Sequence, residues 1–393
     1  GSGCPQGSIS GPFIWNILMD VLLQRLEPLG ALSRYADDLL LLIEGNARSE
    51  LERKGEELMS IVGAWGVEVG VCVSTSKTAI MLLKGILRRP PLVRFAGASL
   101  PYNASTRYLG ITVGERLSFL PHITGLRDRL TGVVGALSRV LRVDWGLSPP
   151  RKRTIYAGLM VPCALFGASV WSVVTTTQVV ARRKFRCQRA ILIGCLPVCR
   201  TVSTVALQVL AGAPPFDLVA RRLAIRFKLK RVYPLEESDW HTGEDLANLS
   251  WKQKMARLEE CLLSEWQRRW DDGDSPGRVT HRFIPNAGFV YSEPRFGFTL
   301  RLGFLLTGHG SLNAFLHERS RSDTPACLCG ADGADWQHVL CVCPLYADLR
   351  DLDGLGVQHT DGEWIFSEVV ASQESMQLLD RYAGDAFSRR QTN

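Results

Sequence analysis

The stretch Ser33-Arg34-Tyr35-Ala36-Asp37-Asp38-Leu39-Leu40-Leu41-Leu42-Ile43-Glu44 constrains this chain more than any other. Two adjacent carboxylates stand between a short polar segment and an unbroken apolar run. A run of that length, closed by Glu44-Gly45-Asn46, reads as a buried strand rather than a helix. The implied shape is a tight hairpin with Asp37 and Asp38 at its bend. Carboxylates side by side next to an apolar strand repel one another unless a cation neutralises them. Magnesium suits that role, because hard divalent ions take oxygen ligands and keep positions open for substrate phosphates. Asp is also a common turn residue, so the pair taken alone fits plain turn chemistry as well.

With 393 residues the chain is long enough for two or three domains, and its net charge of +7 is unevenly spread. Residues 151–231 carry 15 Lys/Arg against one acid, Asp217, whereas residues 232–393 carry 15 basic and 25 acidic residues. A basic block of that density predicts a polyanion-binding face. Eleven cysteines, an odd number, in a long chain without a secretory signal argue against a disulfide scaffold and for a reducing compartment. Residues 154–181 hold no charge, but Pro162, Gln178 and Thr175-Thr176-Thr177 interrupt the apolar run. Two buried helices, or a helix and a strand, are expected there rather than a membrane span. The chain opens without Met and already inside a motif, which reads as a piece of a longer protein.

Taken in order, Gly3-Cys4-Pro5-Gln6-Gly7-Ser8-Ile9-Ser10-Gly11-Pro12 has the composition of a loop. Residues 13–26 recur at helical spacing, with Pro12 near the first turn. Such a glycine-bearing loop lets backbone N–H groups approach phosphates or bases closely. After the hairpin, residues 48–64 predict an amphipathic helix with Leu51, Leu58, Ile61 and Val62 facing inward. Residues 65–73 alternate like strands, Ser74-Thr75-Ser76-Lys77-Thr78 leads into a strand over 79–83, and residues 107–113 form another strand-like run.

Gly-Cys-Pro-Gln-Gly-Ser before a helix, Tyr-Ala-Asp-Asp on a hairpin, a following Ser-Lys-Thr and then Tyr-Leu-Gly together resemble a reverse transcriptase palm. They fall in the order of that family's motifs lettered B, C, D and E. The resemblance implies an antiparallel sheet packed on helices, presenting carboxylates to metal-bound nucleotide. It implies that Asp37 binds catalytic magnesium with Asp38 adjacent or in support. Tyr35 and Ala36 would shape the primer-terminus and nucleotide pocket, and Gln6, Gly7 and Ser8 would lie in the loop against template or incoming nucleotide. Lys77 would approach the nucleotide phosphates and help pyrophosphate leave, although an ordinary surface lysine fits the same short motif. Tyr108, Leu109 and Gly110 would belong to the hairpin that grips the primer end.

The family's remaining metal-binding aspartate and its fingers lie upstream of the Gly-Cys-Pro-Gln-Gly-Ser loop, and neither is present in these residues. Two-metal phosphoryl transfer places its ions about 3.5–4 Å apart and needs ligands that bridge both. Residues 1–393 alone are therefore expected not to polymerise, although a longer parent should.

From residue 117 to 231 the pattern is mainly helical, with Leu120-Pro121-His122 opening a helix that runs through Leu126, Leu130, Val133, Val134, Leu137 and Leu141. Arg151-Lys152-Arg153, Arg182-Arg183-Lys184-Phe185-Arg186 and the residues from Arg221-Arg222 to Arg231 supply the basic surface. In a polymerase this position is the thumb, which tracks the duplex by its phosphates. His122 and Trp171 read as packing or capping residues. Residues 240–277 look like a linker with one amphipathic helix, 252–270. Asp271-Asp272-Gly273-Asp274 lacks the rest of a calcium loop and reads as the turn that ends that helix.

Near the end come Cys327-Leu328-Cys329, His338 and Cys343. Three thiols and one imidazole can close a tetrahedral zinc shell with no open position. The spacing, with Thr307-Gly308-His309-Gly310 and the residues from His338 to Pro344, resembles the cluster that ends many non-LTR (LINE-like) retrotransposon polyproteins. Cys341 could take the place of Cys343 as fourth ligand. The match looks most like the arthropod elements that insert into ribosomal RNA genes.

The expected fold class is α+β. A partial palm (1–115) precedes a basic helical thumb (116–235), a linker or connection (236–320) and a small zinc-knuckle region with the C-terminal tail (321–393). The resemblance implies an RNA-directed DNA polymerase that copies element RNA at a nicked DNA target, with Mg2+ catalytic and Zn2+ structural. Its partners would be an RNA template, a DNA target or primer, deoxynucleoside triphosphates, and the endonuclease and fingers regions of the same polyprotein. No membrane is implied, and the implied location is intracellular, in the nucleus at the site of integration. The alternative is a catalytically incomplete nucleic-acid-binding module built on the basic thumb and the zinc knuckle.

Overall fold

The computed structural model describes residues 7–141, 146–177, 187–235, 239–240, 246–292, 297–366, 369–370 and 372–392. The chain divides into two compact units, Gly1–His122 and Ile123–Asn393. Its elements are helices and small, separate, two-stranded antiparallel sheets. Among the described residues the palm-like part is thus a set of hairpins rather than one continuous sheet.

In the first unit, α1 (Gly11–Leu26) starts with proline in its first turn, where a missing N–H costs nothing. Its Met19, Leu22 and Leu26 fall at helical spacing and are buried against Leu58, Val62 and Trp65 of α2 (Arg48–Val69). The strands β1 (Ala31–Tyr35) and β2 (Asp38–Leu42) form the expected hairpin, but its bend is Ala36-Asp37 rather than Asp37-Asp38, because Asp38 already pairs with Tyr35 as the first residue of β2. The apolar run of β2 is half-buried rather than fully buried, because only one side of the two-stranded sheet rests on the core.

Residues 65–73, read as strands, belong mostly to α2. The same alternation satisfies a helix once Trp65 and Val69 continue the stripe set by Leu58 and Val62. The helix stops at Gly70, whose N–H donates to the Gly66 carbonyl. Residues 79–83 form no strand. Ile80 alone makes an isolated parallel bridge to Tyr102, with Ile80 N–H to Pro101 O at 2.9 Å. After β3 (Arg94–Phe95) and β4 (Ala98–Ser99), the run at 107–113 turns back on itself. It contains the bend between β5 (Ser105–Tyr108) and β6 (Ile111–Gly114).

Among the described residues the second unit is helical apart from one hairpin. Into it runs α3 (Leu120–Leu137), shorter than the pattern through Leu141 suggested. The uncharged stretch becomes the end of α4 (Pro149–Ile155), a wide turn at Tyr156–Met160, then α5 (Val161–Leu165) and α6 (Ala168–Thr177). Residues 178–186, Gln178 among them, lie outside the described residues. No helix among the described residues is long and apolar enough to cross a membrane. Trp171 is fully buried and donates its indole N–H to Phe166 O at 2.8 Å, a packing role.

Next come α7 (Gln188–Cys195), α8 (Thr204–Leu210) and α9 (Phe216–Arg231), which packs against α6 and against α10 (Trp251–Asp271). Ser250 and Gln253 form a reciprocal capping box that fixes the start of α10. Leu258, Leu262, Trp266 and Trp270 recur every fourth residue and are buried, so the helix read as part of a linker is core. The chain continues through α11 (Arg278–Phe283), α12 (Ala287–Ser292), α13 (Leu300–Thr307), α14 (Asn313–Glu318), β7 (Gln358–Thr360), β8 (Glu363–Ile365) and α15 (Gln373–Thr392).

Candidate catalytic hairpin, Cys/His cluster and basic helix

Ala36 and Asp37 form the two-residue turn between β1 and β2, and Asp38 opens β2. Ala36 has φ 53°, a left-handed conformation that a residue with a Cβ adopts at a cost of about 1–2 kcal/mol. The indole N–H of Trp15 on α1 donates to the Ala36 carbonyl at 3.0 Å, and Arg34 donates to Asn16 Oδ1 at 3.1 Å. Two side chains of α1 therefore hold the turn. Tyr35, Ala36, Asp37 and Asp38 are all exposed, and the two carboxylates make no ion pair among the described residues. Adjacent, solvent-facing oxygen donors on a braced turn are the ligand type that hard divalent cations take.

Of the loop before α1, Gln6 lies outside the described residues. Gly7 has φ 88°, and Ser8 Oγ accepts from the Gly11 N–H at 3.2 Å, so the loop closes onto the start of the helix. Lys77 sits exposed in a turn, its N–H donating to Ser74 O at 3.2 Å, and its ammonium makes no bond to Asp37 or Asp38. Tyr108 ends β5 opposite Ile111, and Leu109 and Gly110 form the turn with φ 48° and 83°. Both residues of this tight hairpin turn are left-handed, as a turn matching the strand twist requires. His122 is buried, and its Nδ1 accepts from the Thr112 N–H at 3.3 Å.

At the other end of the chain the fold gathers Cys327, Cys329, His338 and Cys343, whose ligand atoms all lie within 4.8 Å of one another. Cys327 Sγ and Cys343 Sγ are 3.7 Å apart, and Cys329 Sγ is 3.3 Å from His338 Nε2. On one tetrahedral ion with metal–sulfur bonds near 2.3 Å, two thiolates would stand about 3.8 Å apart and a thiolate and an imidazole about 3.6 Å. The donors fit such an ion. Cys341 is buried but outside the group, because residues 338–342 form a wide helical turn that carries His338 and Cys343 to the same side.

The surroundings set the donors' proton affinities. Burial pushes the Cys343 thiol up to about 12 and Cys341 likewise to about 12. A backbone N–H at Ala331 holds Cys329 below the usual thiol range. Burial lowers His338 and so favours its neutral, ligating form. Sequence reading missed the residues that hold the turn: Arg350 donates to Leu340 O at 2.8 Å and Cys343 O at 2.6 Å, and Tyr382 donates to Val339 O at 2.5 Å. No short-range pattern marks an Arg or Tyr that satisfies backbone carbonyls elsewhere in the fold.

The basic block is less free than its composition implied. Lys152 is buried, and Arg189 donates to the carbonyls of Arg200 and Val202, 2.5 Å each. On α9, Arg222 pairs with Glu259, Lys228 with Asp239 at 2.8 Å, and the block's one acid, Asp217, with Arg269 at 2.8 Å. Acids from the next segment thus take up part of the helix's charge. Arg226, Lys230 and Arg231 stay exposed, and residues 182–186 lie outside the described residues.

Residues 1–113 match the family described as reverse transcriptase (RNA-dependent DNA polymerase). The chain is 66% identical over 389 residues to a putative 115 kDa protein in the type-1 retrotransposable element R1DM of Drosophila melanogaster, covering 99% of this chain and 38% of that protein. It is 42% identical to the Pol polyprotein of a type-1 element R1 from Bradysia coprophila, over 99% of this chain and 39% of the relative. A Pol polyprotein from element R1 3 of Nasonia vitripennis is 40% identical over 91% of this chain and 96% of its own length. The chain thus spans under two-fifths of the first two relatives. No solved structure matches.

Proposed function

The chain belongs to the family of type-1, non-LTR R1 retrotransposable-element Pol polyproteins, and from that membership we propose that it forms part of an RNA-directed DNA polymerase that copies element RNA at a nicked DNA target. The observation that carries this is the hairpin turn of Ala36 and Asp37, which exposes two adjacent carboxylates within the residues matched to the reverse transcriptase family. Asp37 and Asp38 would hold magnesium, which supplies charge neutralisation for the transferred phosphoryl group. Tyr35 and Ala36 would line the nucleotide, Gly7 and Ser8 the template side, Lys77 the departing pyrophosphate, and Tyr108, Leu109 and Gly110 the primer end.

Zinc is the ion we assign to Cys327, Cys329, His338 and Cys343, since three thiolates and an imidazole form a closed, soft donor set suited to structure rather than catalysis. Element RNA, a nicked DNA end and deoxynucleoside triphosphates are the proposed partners, together with endonuclease and fingers regions of the polyprotein, at an integration site in the nucleus.

The test is magnesium-dependent DNA synthesis on a primed RNA template by a full R1 polyprotein carrying these residues. Asp37→Ala is expected to abolish synthesis while nucleic-acid binding stays unchanged. Synthesis that survives the substitution would overturn the assignment. Residues 1–393 alone are expected to bind without extending the primer.

A further inference from the structure

The last two turns of α9 and the residues just after them carry two exposed rings, Phe227 and Tyr233, that the polymerase reading leaves unused. Arg226 and Lys230 stand one turn apart, as do Phe227 and Arg231, so the four side chains share one flank of the helix. The helix ends at Val232, which is left-handed with φ 58°, and the Tyr233 N–H donates to Lys228 O at 2.9 Å. This reversal carries the Tyr233 ring back to Phe227, with centroids 6.0 Å apart and planes tilted by 51°.

An apolar contact across a helix end is common, and cations there also suit the helix dipole. Neither explains why both rings remain open, Phe227 41% and Tyr233 55% exposed. Nor is the charge incidental to ion pairing. Arg222 and Lys228 on the same helix are taken up by Glu259 and Asp239, whereas Arg226, Lys230 and Arg231 make no ion pair among the described residues. The nearby acids Glu236 and Glu237 lie outside the described residues.

We propose that this patch binds single-stranded nucleic acid, with bases stacking on Phe227 and Tyr233 and with Arg226, Lys230 and Arg231 meeting the flanking phosphates. Every base offers a π-face once it is unstacked from its neighbours, so ring contacts are sequence-tolerant but need a single strand. A duplex keeps its bases stacked on one another and offers the cations only phosphate. The patch therefore distinguishes strand states by its rings and contributes affinity by its charges. The inference rests on the nucleic-acid reading above and adds which strand state this helix end takes.

The test measures binding of residues 1–393 to a short single-stranded RNA, the same sequence as single-stranded DNA, and the matching duplex, each across a salt series. The variant Phe227→Ala/Tyr233→Ala is expected to weaken single-strand binding roughly tenfold or more while duplex binding holds within about twofold. Tyr233→Phe, which keeps the ring, should retain most of the single-strand affinity. Lys230→Gln/Arg231→Gln should weaken both forms and flatten the salt dependence. The RNA and DNA arms report which strand is preferred, and a ring-dependent loss on either supports the patch. Unchanged single-strand affinity in the ring variant, or equal losses on single strand and duplex, would overturn it. Salt-independent duplex binding beside an intact ring effect would instead remove the phosphate-tracking part of the polymerase reading and leave the stacking site standing.

Discussion

Cys327 Sγ and Cys343 Sγ lie 3.7 Å apart across 16 residues of sequence, one at a loop turn and the other at the end of a wide helical turn. That separation matches two thiolates on one tetrahedral ion and leaves Cys341 out of the donor set. Zinc in such sites contributes on the order of 10–16 kcal/mol. Chelation is therefore expected to lower the thermal midpoint of the protein and melt the segment around the cluster, read by circular dichroism and zinc content. Cys343→Ser should lose the metal and Cys341→Ser should keep it. The reverse pattern would reassign the fourth ligand.

Metal binding should also depend on pH, with a sign fixed by the thiols. Burial pushes Cys343 up to about 12 without metal, so at neutral pH an incoming ion must displace its proton. Affinity is expected to rise with pH between about 6 and 8, with proton release measurable by calorimetry in buffers of different ionisation heat. A flat profile would mean that the thiols are already ionised in the metal-free protein.

A second pH effect belongs to His309. Its Nδ1 lies 2.8 Å from Thr201 Oγ1, its ring stacks on Phe315, and burial first and Arg319 second lower its proton affinity. Between its folded value and the unfolded value near 6.5 the unfolded chain binds more protons, so stability falls as pH falls. The contribution is complete above about pH 6.5 and is lost as pH drops through the folded value. Thermal midpoints of the zinc-saturated protein from pH 8 to 5 should fall more steeply in the wild type than in His309→Gln.

The hairpin with Asp37 and Asp38 could be read from sequence because its signal is local, an apolar run and a two-residue bend. The strand expected over 65–73 could not be separated from helix, since Trp65 and Val69 satisfy both periods until Leu58 and Val62 are seen to face the same core. The basic helix failed for a different reason. Counting charge along residues 151–231 gave one acid, but Glu259 and Asp239, outside that window, neutralise Arg222 and Lys228 in space. Composition along the chain cannot see a partner supplied by another element. Four donors at the Cys/His cluster were legible, while Arg350 and Tyr382, which hold its turn, were not.

Gly310 tests the backbone demand of the segment before α14. Its φ is 112°, and a Cβ there would overlap the Phe304 ring, which itself packs edge-on against Phe387. Gly310→Ala is expected to destabilise the second unit by about 3 kcal/mol, combining left-handed strain with overpacking. Denaturant melts would show it, and a change below about 1 kcal/mol would mean that the ring swings aside without cost.

Ala36 and Asp37 allow folding and chemistry to be separated on adjacent residues. Ala36 is held at φ 53° by Trp15 from α1, so Ala36→Gly should stabilise the first unit by up to about 1 kcal/mol, the strain relieved outweighing the added freedom of the unfolded chain. Asp37 is exposed and beside Asp38, and no ion pair among the described residues holds it. Asp37→Asn should therefore leave stability within about 0.5 kcal/mol, or raise it slightly by removing like-charge repulsion. In the full polyprotein the same change should cost synthesis by at least about a hundredfold, because the amide is a poor ligand for magnesium. A loss of synthesis that tracked a loss of stability would place Asp37 among the residues that build the turn, and the two readouts taken together decide which description holds.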